Sequence, residues 1–139
     1  MLRNRVGFYL MKSDKLIPLF VYGTLKRGFS NHNFLSGTDS KFLGKAQTAE
    51  PFALYVGNFP YVTSREPVCP IKGEVYMVDA ETLSKIDELE EHPDWYKRGI
   101  TEVILEDGTA IEAYIYFKDD PEGILIESGF FSKRQDPGL

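Results

Sequence analysis

Two stretches of the sequence carry residues able to act together on a small molecule: the run Tyr22-Gly23-Thr24-Leu25 and the glutamate Glu90. In the first, Leu19 to Tyr22 are strand formers entered at Pro18. Gly23 follows with the freedom a sharp exit needs and no Cβ to obstruct a close approach. Gly23, Thr24 and Leu25 then present successive N–H groups, which in a turn form a concave site for a carboxylate or phosphate. A buried strand ending in an ordinary glycine turn accounts for the same residues. In the second stretch, a helix is expected from the N-cap Asp79 to near Glu91, because Pro93 disfavours helical geometry at His92. Its apolar stripe is Leu83, Ile86 and Leu89. At roughly 100° per residue Glu90 projects about 20° from Leu83, inside an apolar arc of about 120°. Desolvation and the negative helix end both oppose its ionisation, so such a carboxylate is either paired structurally or used as a base. An amide-rich turn and one such carboxylate suffice for a reaction in which the substrate brings its own nucleophile.

Other chemistries lack their residues. Cys69 is the only cysteine and His32 and His92 the only histidines, which excludes a disulfide within the chain and a Cys/His zinc site by count. No metal ligands stand at recognisable spacing, and no metal or other cofactor is expected. Cys69, between Val68 and Pro70, reads as buried packing. There is no Gly-x-Ser-x-Gly elbow, and Gly23 to Gly28 lacks the lysine position and spacing of a Walker loop. His32, beside Asn31 at a predicted helix cap, reads as a structural hydrogen-bond partner, and His92 as a surface residue.

The elements that must position the two stretches fit into one domain, since 139 residues bury a real core without a second unit. We read residues 1–18 as an N-terminal extension and 19–139 as a single domain. The apolar run Val6 to Met11 is too short for a signal core before Lys12, and nothing approaches a membrane span of about 20 apolar residues. A net charge of −5 points away from nucleic acid, and Lys26-Arg27 and Lys133-Arg134 are too short to make a clustered basic excess. The single cysteine fits a reducing cytosol.

Along the chain, a capped helical turn is expected over Ser30 to Leu35, with Ser30 or Asn31 as the cap. Strands follow over Lys41 to Thr48, Phe52 to Val56 and Ile71 to Val78, with a turn at Gly57-Asn58-Phe59-Pro60. In the last of these strands Ile71, Gly73, Val75 and Met77 share one face. After the helix, Asp107-Gly108 predicts a hairpin between Ile100–Glu106 and Thr109–Phe117, closed by a two-residue turn with positive φ at both positions. Tyr114 and Tyr116 on its second strand read as core-edge tyrosines or as pocket walls. From Lys118 onward the sequence is turn-rich, and we expect the tail to pack once, near Ile124 to Ile126 or Phe130-Phe131, and then fray.

Several separated motifs, in order, resemble the γ-glutamylcyclotransferase (AIG2-like) family, and most nearly its γ-glutamylamine cyclotransferase branch. They are Val21-Tyr22-Gly23-Thr24-Leu25-Lys26-Arg27-Gly28 with Asn31-His32, then Gly73-Glu74-Val75-Tyr76, then Ile86-Asp87-Glu88-Leu89-Glu90 with Tyr96-Lys97-Arg98. The resemblance runs from about Leu19 to Phe117 and implies an α+β fold, a small mixed β-barrel with a few flanking helices. It implies that Tyr22, Gly23, Thr24 and Leu25 bind a glutamyl group and that Glu90 is the acid-base. Phe59, Pro60, Tyr96 and Tyr116 then become the candidate pocket walls. The implied partner is a small γ-glutamyl substrate, cyclised to 5-oxoproline with release of an amine; the oligomeric state stays open. Two other classes use the same scaffold: a small-carboxylate binding module without turnover, and a protein-interaction domain.

Overall fold

The computed structural model of the protein describes residues 15–139, so the apolar run Val6 to Met11 lies outside the described residues. In chain order its elements are β1 (Ile17–Val21), β2 (Lys41–Thr48), β3 (Ala53–Val56), β4 (Pro60–Thr63), β5 (Lys72–Val78), α1 (Ala80–Leu89), β6 (Lys97–Leu105), β7 (Ala110–Phe117) and β8 (Ile124–Leu125). Five strands close into a barrel in the order β1-β5-β2-β6-β7, and β4-β3-β8 form a separate three-stranded sheet. Neighbours in the barrel run antiparallel except where β1 meets β7, parallel at Leu19 and Tyr114. The barrel is therefore mixed, and among the described residues one α-helix and two short 3-10 turns lie beside it. β1 takes in Ile17 and Pro18, two residues earlier than expected, which pair with Val78 and Met77.

Strand alternation sorts the core onto the two sides of this wall. Phe20, Val75, Val103, Ala113 and Ile115 pack together inside, along with Phe52, Leu54 and Val62 of the small-sheet region and Phe131 of the tail. Leu19, Val21, Tyr76, Val78 and Tyr116 point outward and receive Leu83 and Ile86 of α1. The expected split of β5 holds for Ile71 and Val75 against Tyr76 and Val78. α1 starts as expected, with Asp79 accepting from the Thr82 N–H at 2.7 Å.

Four expectations need correction. The hairpin has a three-residue loop: the Gly108 N–H donates to Leu105 O and the Leu105 N–H to Thr109 O, each at 2.8 Å, and only Gly108 takes positive φ. Asp107 stays out of the left-handed region because its side chain accepts the Thr109 N–H at 2.9 Å, an Asx contact that favours a type I turn followed by a left-handed glycine. β4 was hidden behind the Gly57–Pro60 turn, and it begins on the proline itself. The helical turn is reduced to a 3-10 turn over His32–Phe34, and Asn31 makes no side-chain cap. The tail does not fray after one contact. Phe131 is wholly buried, Ser132 and Gln135 form a capping box, and Asp136 is buried.

Candidate active site

The Gly23 turn is built by carbonyl groups that are already committed. The Lys26 N–H donates to Gly23 O at 3.1 Å, the Asn31 N–H to Thr24 O at 2.8 Å, and His32 Nδ1 lies 2.9 Å from Leu25 O. A trans peptide points its N–H opposite to its C=O, so fixing the Gly23 and Thr24 carbonyls turns the N–H groups of Thr24 and Leu25 the other way. Those two N–H groups, and that of Gly23, have no acceptor among the described residues, although Gly23 and Leu25 are buried. Buried amide donors without a partner are rare, and here their residues line a cleft of about 110 Å³. Thr24 Oγ1 accepts from Asn31 Nδ2 at 2.8 Å, which leaves the hydroxyl proton free to donate. Gly23 itself has no positive φ. Its need for glycine comes from Pro60, since a Cβ would stand 2.6 Å from Pro60 Cγ. The sharp-exit explanation is therefore replaced by a close approach of the turn to β4.

The second component arrives from the C-terminal end of α1. Glu90 is the C-cap and Glu91 follows at φ 54°. The His92 N–H reaches Asp87 O at 2.9 Å and the Glu91 N–H reaches Glu88 O at 3.1 Å, which is a Schellman closure with glutamate where glycine is usual. This end of α1 is tied to the barrel by Asp87, which accepts from Tyr116 Oη at 2.6 Å and from Arg98 Nη1 at 2.8 Å. The guanidinium also stacks over Tyr114 at 4.6 Å. The nearby arginine is thus engaged by Asp87. The Glu90 backbone bonds Ile86 O and the Tyr96 N–H, whereas its carboxylate has no hydrogen-bond or ion-pair partner among the described residues. Glu90 as a residue keeps some exposure, but its carboxyl is shielded from water, and that burial pushes it up to about 7.

The cleft brings together Tyr22, Gly23, Thr24, Leu25, Phe59, Pro60, Glu90, Tyr96 and Tyr116, all the residues singled out from the sequence. Three tyrosines wall it, with their hydroxyl protons already donated: Tyr22 to Tyr116 O at 2.8 Å, Tyr96 to Pro60 O at 2.7 Å, and Tyr116 to Asp87. Burial holds all three well above the ordinary tyrosine range, with the Glu90 charge adding to it. Burial thus drives the three tyrosines away from neutrality and the Glu90 carboxyl toward it. Sequence reasoning missed Asn31 and Trp95 as lining residues, and Asp87 as the tie behind Glu90. Asn31 and Asp87 both stood inside quoted motifs, but the bond of Asp87 to Tyr116 is made only by the fold. His32 is structural as read, at Leu25 O and 5.6 Å from the Tyr76 ring. His92 is not a free surface group, because its Nδ1 accepts the Arg98 N–H at 3.0 Å. Cys69 is half-buried against the inner core. Among the described residues no group of His, Cys, Asp and Glu is placed to hold a metal, and no helix is long and apolar enough to cross a membrane.

Comparison with known proteins places the chain among its relatives. A family model described as gamma-glutamyl cyclotransferase, AIG2-like, matches residues 19–133. A Methanocaldococcus jannaschii protein provisionally named a gamma-glutamylcyclotransferase is 50% identical over 112 residues, which cover 80% of this chain and 92% of that one. The gamma-glutamylaminecyclotransferase of Bos taurus is 38% identical over 117 residues, 75% of this chain and 67% of its own. A mouse AIG2-like crystal structure superposes with a TM-score of 0.69 at 31% identity, covering 75% of this chain and 78% of the other.

Proposed function

The chain belongs to the gamma-glutamyl cyclotransferase, AIG2-like family, and from that premise we propose that it cyclises a γ-glutamyl amine or γ-glutamyl amino acid to 5-oxoproline with release of the amine, Glu90 serving as acid and base. The observation that carries this reading is an unpaired carboxyl held at about 7 in the same cleft as three successive amides without acceptors among the described residues, two of them in buried residues. The substrate α-carboxylate sits at the N–H groups of Gly23, Thr24 and Leu25, with the Thr24 hydroxyl as a further donor. Glu90 takes a proton from the α-ammonium, and the freed amine attacks the γ-carbonyl carbon to close a five-membered ring. The bond from that carbon to the leaving nitrogen then breaks, and Glu90 returns the proton to the departing amine. Tyr22, Tyr96, Tyr116, Phe59 and Pro60 shape the walls. A carboxyl near 7 suits both directions of this transfer, since a general acid-base works best when its pKa lies near the operating pH. We assign the reaction to a reducing cytosol on the strength of the single cysteine.

The test is a panel of γ-glutamyl-ε-lysine, γ-glutamyl alkylamines, γ-glutamyl dipeptides and glutathione, with 5-oxoproline measured as product. γ-Glutamyl-ε-lysine is the substrate expected to react best, given the resemblance to the γ-glutamylamine branch. Equal inactivity across the panel, with 5-oxoproline still bound, would leave the binding-module reading.

A further inference from the structure

The loop from Gly23 to Asn31 lines the cleft at both ends, and its middle is held from outside by the C-terminal segment. Lys26 is only 2% exposed: its Nζ donates to Phe131 O at 2.6 Å and lies 4.4 and 4.2 Å from the ring centroids of Phe29 and Phe130. Asp136, 5% exposed, accepts from the Ser30 N–H and the Ser30 hydroxyl at 2.8 Å each and from the Gly138 N–H at 2.9 Å. Burial opposes the Asp136 charge, but these donors outweigh it and hold the carboxyl below its usual range. Phe131 packs on Phe29 with centroids 5.7 Å apart, and the Ser132–Gln135 box fixes the chain between Phe131 and Asp136. The tail is thus a folded strap, tied to the loop at Lys26 and at Ser30.

A strap needed for stability alone is made at less cost from apolar contacts, because a buried ammonium and a buried carboxylate both forfeit hydration. What charged contacts add is direction. Asp136 sets the Ser30 peptide, and the next residue, Asn31, holds Thr24 through both its backbone N–H and its side chain, each at 2.8 Å. The line Asp136–Ser30–Asn31–Thr24 therefore runs from the tail to the amide turn. We propose that Asp136, seconded by Lys26, is a positioning residue that keeps the carboxylate-binding turn in its competent form before substrate arrives; this rests on the reading of the turn given above.

Loss of such a tie lowers the fraction of molecules whose turn is competent, and apparent affinity falls by that fraction while bound substrate restores the turn. In the full-length chain, Asp136→Asn is expected to raise both the KM for the γ-glutamyl substrate and the calorimetric Kd for 5-oxoproline about tenfold, with kcat kept within about twofold. Ser30→Ala removes one contact and leaves the carboxylate its two N–H donors. It is expected to raise KM about threefold and to serve where Asp136→Asn fails to fold. A purely structural strap lowers the melting temperature and leaves KM and Kd at their wild-type values, and that result, or a fall in kcat with KM unchanged, overturns the proposal. A wild-type protein that neither turns over the substrate panel nor binds 5-oxoproline contradicts the functional reading and this inference with it. A wild type that does both, beside insensitive variants, contradicts this inference alone.

Discussion

Glu90 owes its titration behaviour to what surrounds it. Arg98 is paired with Asp87, and no charge among the described residues offsets the cost of burying the Glu90 carboxylate. That cost has a measurable sign. A carboxyl held at about 7 in the folded chain against an ordinary 4.5 binds an extra proton only when folded, between those two values. Folding stability from this group is full at low pH and is lost as pH rises through that window, by up to roughly 3 kcal/mol. Glu90→Gln removes the dependence. Thermal melts are expected to show the variant level with wild type near pH 4 and more stable near pH 8; a difference that stays flat over this range means the carboxyl is not buried as described. Glu90 was legible in the sequence because one acid on an apolar stripe stands out by angle alone. The commitment of Arg98 to Asp87 was not, since it joins α1 to β6, which no local pattern specifies.

At the scale of elements, the turn and β4 form one unit. The turn presents its amides only while Gly23 lies against Pro60, and a Cβ there would meet Pro60 Cγ at 2.6 Å. Gly23→Ala must push β4 and the turn apart. It is expected to cost about 1–3 kcal/mol of stability, as overpacking does, and to weaken 5-oxoproline binding at least tenfold. Unchanged binding by calorimetry would separate the turn from the ligand. Local signals found the elements that have strong punctuation: the Asp79 cap, the Asp107-Gly108 hairpin and the alternation of β5. They missed what side chains decide. The loop gained a third residue because Asp107 bonds Thr109, and β4 was hidden because a proline at its first residue reads as the end of a turn. The tail looked loose because its order comes from Lys26 and Ser30, more than a hundred residues away in the chain.

At the scale of the whole molecule, barrel closure is what makes a site. β1 ends at Val21 and hands over the amide turn, and α1, docked on the outer face of the same wall through Leu83 and Ile86, ends at Glu90. The family motifs named both components, but their meeting in one cleft depends on the parallel contact of β1 with β7 and on Tyr116 of β7 bonding Asp87. On this account the cleft has two separable parts, one that holds a carboxylate and one that moves a proton. Glu90→Gln separates them, because it keeps shape and removes the base. Turnover of the best γ-glutamyl substrate should fall by about 10²–10⁴-fold, while the Kd for 5-oxoproline, measured on the same folded sample, stays the same or tightens as the like charge is lost. A variant that keeps wild-type turnover per folded molecule would contradict the account and move the base elsewhere.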